Sequence, residues 1–217
     1  DTKFVMFCFA ATFLSVGIAA IGSLLIHDHA ERGEFVQAAY RSSASLIGVA
    51  FIENIYGTAG MAPLMIIGAV PLYNVMAVVA LSLTDPENTG LDKKTLLKTM
   101  RGIVTNPIII GLMAMGAMFD FKKAFGKLGP SLGAAFLKLI GFNMVFLPMA
   151  IALGFREEKL IAILVMLGSA TTVSCYVMAR NMHHEGTLTS SVVMLTTLFS
   201  AFSLTFWLWL VKTMGLI

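Results

Sequence analysis

Charge is scarce in this 217-residue chain, where Asp, Glu, Lys and Arg together make up 12%, against about a quarter of a soluble domain. Too few charged side chains exist to coat a globule in water, so a soluble fold is excluded. The net charge of +3 is too small for a nucleic-acid footprint and is read through its distribution, as a topology signal. Cysteine is nearly missing: Cys8 and Cys175 both lie in apolar runs, which excludes a disulfide framework or a cysteine metal motif and leaves small buried thiols. There is no HExxH, no nucleophile elbow and no pair of aspartates in the apolar runs. Serines and threonines far from any buried histidine offer no activated nucleophile, so a membrane enzyme is the weakest reading. The first residue is Asp1 and no basic leader with a cleavage site follows it. The expectation is therefore a fragment, a processed product or a partial chain.

Hydrophobic residues, by contrast, make up 58% of the chain, and the mean hydropathy is +0.86. A helix needs about 20 apolar residues to cross a bilayer. Stretches of that length occur at 3–26, 35–57, 61–83, 131–154, 159–180 and 188–211. A shorter one, 103–118, carries Pro107, Gly111 and Gly116. The pattern predicts an all-α, polytopic bundle of transmembrane helices embedded in a lipid bilayer, with no nucleic-acid partner.

Two of the long stretches hold polar clusters in their middles. The first is "RSSAS", with Arg41, Ser42, Ser43 and Ser45, followed by Gly48; the second is "SATTVSC", with Ser169, Thr171, Thr172, Ser174 and Cys175. One such cluster reads as tight helix packing through small residues. Two of them, in corresponding segments, point to a transporter site built from repeats. Irregular backbone in mid-membrane is tolerated only where it is buried in protein or lines a wet cavity. Both helices are thus expected to lose regular winding, at 42–48 and 169–175, and to meet there.

The loops "TDPENTGLDKKTLLKTMR" and "FDFKKAFGKLG" are the most basic in the chain. Basic loops stay cytoplasmic, so an even number of crossings should connect residues 102 and 122. The same rule puts "YGTAG" and "FREEK" outside and "RNMHHEG" inside.

The segments "YRSSASLIGVAFIENIYG", "TNPIIIG", "SATTVSCYVMARN" and "VVMLTTLFSAFSLTFWLWL" together resemble the auxin efflux carrier family, in its bacterial branch of short-looped malate and organic-anion permeases. The resemblance spans nearly the whole chain. It implies two inverted five-helix repeats whose fourth helices are broken and cross at the substrate site. Residues 1–100 would be the remainder of the first repeat and 101–217 the second, shortened near 111–116. The chain departs from the family pattern at Ser43, where Asn is common, and at Ala50 and Ala170, where Pro is common. Without those prolines, gentler bends are expected.

On this resemblance the chain is a secondary transporter of small organic anions, carboxylates such as malate or auxin-like acids, in a bacterial cytoplasmic membrane. It would work by alternating access, with no cofactor, driven by a proton gradient or the membrane potential. The substrate residues would be Arg41, Ser42, Ser43, Ser45, Gly48, Asn106, Ser169, Thr171, Thr172, Ser174 and Cys175. The competing reading is a truncated, non-transporting membrane fragment or interaction subunit, and homo-oligomerisation stays open. Arg41, about six residues into its segment, either attracts an anion or snorkels to the headgroups. Asn106, before Pro107, either caps a helix or faces the cavity. Asn74 and Asn143 read as inter-helix hydrogen bonds, Glu53 as either a proton carrier or, more simply, an interfacial carboxylate, and Trp207 and Trp209 as membrane anchors and packing. The groups His27, Asp28, His29 and His183, His184, Glu185 match no zinc spacing.

Overall fold

A computed structural model describes residues 1–86 and 128–217, apart from the side chains of Ser45 and Leu46. Segment 103–118, Asn106, most of both basic loops and the crossings between residues 102 and 122 lie outside the described residues.

The described chain is helical throughout. α1 spans Thr2–Ser23, α2 His29–Tyr40, α3 Val49–Tyr56, α4 Ala62–Leu83, α5 Leu128–Phe136, α6 Phe142–Ala152, α7 Glu157–Gly168, α8 Ser174–Asn181 and α9 Thr187–Thr213. A π turn, Ala44–Gly48, leads into α3, and another, Leu137–Gly141, joins α5 to α6. Four units are long and apolar enough to cross a membrane: α1, α4, α5 through α6 (Leu128–Ala152), and α9. Phe13, Ile21, Phe202 and Trp209 are exposed on their flanks, as suits helices that face lipid. The two stretches with polar clusters are the ones that fail to form a continuous span. Each divides into a twelve-residue half and an eight-residue half, α2 and α3 in one case, α7 and α8 in the other.

α1 packs against α2 and α4, and α9 against α2 and α5. Small residues permit the closest of these approaches. A Cβ added to Gly68 would lie 2.9 Å from the Cβ of Cys8 and 2.9 Å from the carbonyl oxygen of Val5. Gly68→Val should therefore force α4 off α1 and lower stability by about 1–3 kcal/mol, read as a fall in the unfolding temperature in detergent.

The loops gather at two ends of the bundle. At one end His184 sets its Nδ1 2.9 Å from Ala30 O and its Nε2 2.9 Å from Leu81 O. Glu34 there accepts from Gly186 N at 2.8 Å, Thr189 N at 2.9 Å and Thr189 Oγ1 at 3.0 Å, so a buried carboxylate caps the start of α9 from a neighbouring helix. At the other end Lys3 Nζ donates to Leu153 O at 2.7 Å, Glu157 N donates to Leu216 O at 3.0 Å, and Lys159 pairs with Asp1. The loop read as inside, 180–186, thus lies at one end, and those read as outside, 56–60 and 155–159, share the other. Glu34→Gln keeps the shape but halves the accepting capacity of the group. It should cost about 1–3 kcal/mol, measurable as an earlier thermal transition.

Candidate functional site

The first polar cluster begins deeper than its sequence indicated. α2 starts at His29, not near residue 35, and Arg41 follows twelve helical residues. At about 1.5 Å per residue that is roughly 18 Å, mid-membrane and not at the headgroups. α7 has twelve residues as well, so both breaks fall at the same distance from their helix starts.

The breaks are sharp despite the absence of proline. Arg41 is extended, with φ −69° and ψ 137°, and Ser169 likewise, with φ −75° and ψ 161°. The irregular stretches are 41–43 and 169–173, narrower than the expected 42–48 and 169–175, because residues 44–48 recover as a π turn and α8 resumes at Ser174. What replaces proline is hydrogen bonding across the gap. A helix C-terminus leaves its last carbonyls unpaired, and here they find partners elsewhere. Ala38 O accepts from Thr171 Oγ1 at 2.7 Å, and Tyr40 O from Lys138 Nζ at 3.1 Å. At the end of α7, Val165 O accepts from Ser42 Oγ at 3.4 Å, and Met166 O from Tyr73 Oη at 3.3 Å.

The two breaks meet. Ser43 N donates to Ala170 O at 3.0 Å, and the hydroxyls of Ser42 and Ser169 are in direct contact. Gln37 Nε2 donates to Cys175 O at 2.9 Å. Thr171 N donates to Thr196 Oγ1 on α9 at 3.0 Å. Ser42, Ser169 and Thr171 are buried, while Ser43, Thr172 and Ser174 are half-buried. Most of the polar groups at the crossing are thus engaged with one another in this conformation.

Arg41 is engaged only in part. It is buried, not snorkelling, and its guanidinium donates from Nη2 to Asn74 Oδ1 at 2.9 Å and to Ser174 Oγ at 3.0 Å. Its Nη1 lies 3.3 Å from Met178 Sδ, and its buried Nε has no partner among the described residues. All three partners are neutral, so among the described residues nothing compensates the charge. Thr172 Oγ1 lies 3.1 Å from Ser174 Oγ, extending the hydroxyl row beside the guanidinium.

The structure therefore gathers Arg41, Ser42, Ser43, Ser169, Thr171, Thr172, Ser174 and Cys175 at one place. Cys175 sits in the first turn of α8 with Sγ 3.9 Å from Gln37 O. Gly48 lies in the π turn, where an added Cβ would touch Met65 and Val165 at 3.3 and 3.4 Å; its visible role is close packing. Asn74 makes the inter-helix bond read for it. Asn143 does not: its amide donates to Leu139 O within its own helix at 3.3 Å, and it presses on Gly168. Trp207 takes the packing role of its two readings: it is buried and donates to Leu139 O at 3.1 Å. Glu53 is exposed. His184 spends both ring nitrogens on main-chain carbonyls, and among the described residues no cluster of His, Cys, Asp and Glu could hold a metal.

Sequence reading missed Gln37, Lys138 and Thr196. Lys138 stands alone in an apolar run, and the cost of an intramembrane charge, already applied to Arg41, would have singled it out.

Residues 99–208 match a family model described as membrane transport protein. No curated protein and no solved structure matches the chain.

Proposed function

Because the chain belongs to the membrane transport protein family, that of the auxin efflux carriers, we propose that this multi-pass membrane protein carries small organic anions, carboxylates such as malate or auxin-like acids, through the crossing of its two broken helices. The observation that carries the reading is Arg41: a buried guanidinium at mid-membrane, with neutral partners and a spare N–H. An intramembrane charge of this kind marks a substrate path more often than a structural element, and a carboxylate is the ligand that a guanidinium fork matches best. Hydroxyls of Ser43, Thr172 and Ser174, the half-buried members of the cluster, supply further donors. The first turn of α8 adds the positive end of its dipole.

A carboxylate entering here competes with the bonds that close the crossing. Parting Ser42 from Ser169 and Ser43 from Ala170 would free an amide and two hydroxyls for the anion. The groups of helices on either side then rock about the site, opening it to one end of the bundle and then the other. A proton gradient or the membrane potential would supply the drive, and a bacterial cytoplasmic membrane is the setting the short loops favour.

The test is uptake of radiolabelled malate and of indole-3-acetate into proteoliposomes containing the chain, with an imposed pH gradient or potential. Saturable uptake above empty liposomes of at least one acid supports the reading. Absence of uptake of both, with malonate and succinate also inert, removes this substrate class and leaves the chain a non-transporting fragment or an interaction subunit.

A further inference from the structure

Lys138 is fully buried, and its ammonium donates to Tyr40 O, the last carbonyl of α2, at 3.1 Å. It stands on the π turn between α5 and α6, and that turn is pinned from α9. Leu139 O accepts from Ser203 Oγ at 2.8 Å and Trp207 Nε1 at 3.1 Å, besides the Asn143 amide at 3.3 Å. The backbone that carries Lys138 is therefore anchored, while the ammonium at the end of its four-carbon stem keeps some reach.

Among the described residues no carboxylate lies within ion-pair reach of Lys138, and the buried acid Glu34 is fully occupied in capping α9 at one end of the bundle. Arg41 is in the same condition. The two cations flank one peptide unit, since Lys138 holds the carbonyl of Tyr40 and Arg41 carries the amide bonded to it. The Cys175 thiol is within Coulombic reach of both. The partial negative charge at the end of α2 is worth about half an elementary charge, which offsets only a part of two. Burying each ion costs several kcal/mol, and a dianionic ligand would neutralise the pair.

Building on the anion-transport reading, we propose that Lys138 is the second cation of the site and that, with Arg41, it selects anions carrying two negative charges over those carrying one. Arg41 takes one carboxylate through its fork. Lys138 leaves Tyr40 O, or shares it, to meet the other.

Lys138→Gln separates this role from simple capping, because a glutamine amide can still donate to Tyr40 O while the charge is gone. Uptake of succinate and butyrate, chains of equal length, is compared in proteoliposomes. In parallel, the stabilisation of the detergent-solubilised chain by each acid is followed by thermal unfolding. The expected result is a fall in succinate uptake and binding on the order of a hundredfold. Butyrate should change by less than about threefold, and Lys138→Arg should restore much of the preference. An unchanged succinate-to-butyrate ratio in Lys138→Gln overturns the proposal and leaves a capping lysine. Preferential binding of succinate that depends on Lys138, without uptake, would keep the proposal and remove the transport reading. No preference for succinate by the unmodified chain in either assay overturns it as well.

Discussion

Arg41→Gln is expected to lower organic-anion uptake on the order of a hundredfold, through loss of the charge-assisted contact that a carboxylate makes with a desolvated guanidinium, worth about 2–4 kcal/mol. Stability should move the other way, or not at all. The guanidinium is buried among neutral partners, Asn74, Ser174 and Met178, so removing it relieves a desolvation cost instead of breaking an ion pair. An unfolding temperature equal to or above that of the unmodified chain, combined with lost uptake, identifies a residue kept for function at the expense of stability. A fall of several degrees with uptake per folded molecule intact would identify a structural arginine and defeat the site assignment. Arg41→Lys should fall between, because an ammonium restores the charge but not the fork that reaches Asn74 and Ser174 together.

The long apolar runs made the fold legible: α1, α4, α5 through α6, and α9 lie within a few residues of the stretches read as spans. The breaks were legible as well, from hydroxyl clusters that have no use in a lipid-facing helix. Their sharpness was not. Local reasoning assigns sharp breaks to proline, whereas here the backbone at Arg41 and Ser169 is held open by partners more than 100 positions away, such as Val165 for Ser42 and Ala38 for Thr171. No local window contains them. The depth of Arg41 was misjudged for a related reason. The polar start of α2, His29 to Glu34, reads as loop because Glu34 looks exposed, and only the fold reveals that it is buried against the start of α9. Lys138 is a different case: its rarity in a span was visible, but the π turn that aims it at the end of α2 has no sequence signature in "LKLIG".

Locking the crossing shut should abolish transport altogether. The hydroxyls of Ser42 and Ser169 touch, so cysteines at these two positions are the natural pair to test for the Cβ approach of about 3.5–4.5 Å that a disulfide needs. In the Ser42→Cys, Ser169→Cys double variant, oxidation should therefore join the two breaks covalently with little backbone movement. If the anion passes between them, uptake should drop to the level of empty liposomes and return when a reductant is added. Each single variant sets a baseline that the oxidant should leave alone; a loss in Ser42→Cys by itself would instead report pairing with Cys175, the native thiol at the same crossing. The decisive outcome is a chain shown by thiol titration to be fully cross-linked that still carries anions at its reduced rate. The breaks would then not part during transport, and the pathway would have to run elsewhere in the bundle. Reversible silencing, on the other hand, fixes the moving part: the bonds Ser42–Ser169 and Ser43–Ala170 would be the ones that open when a substrate replaces them.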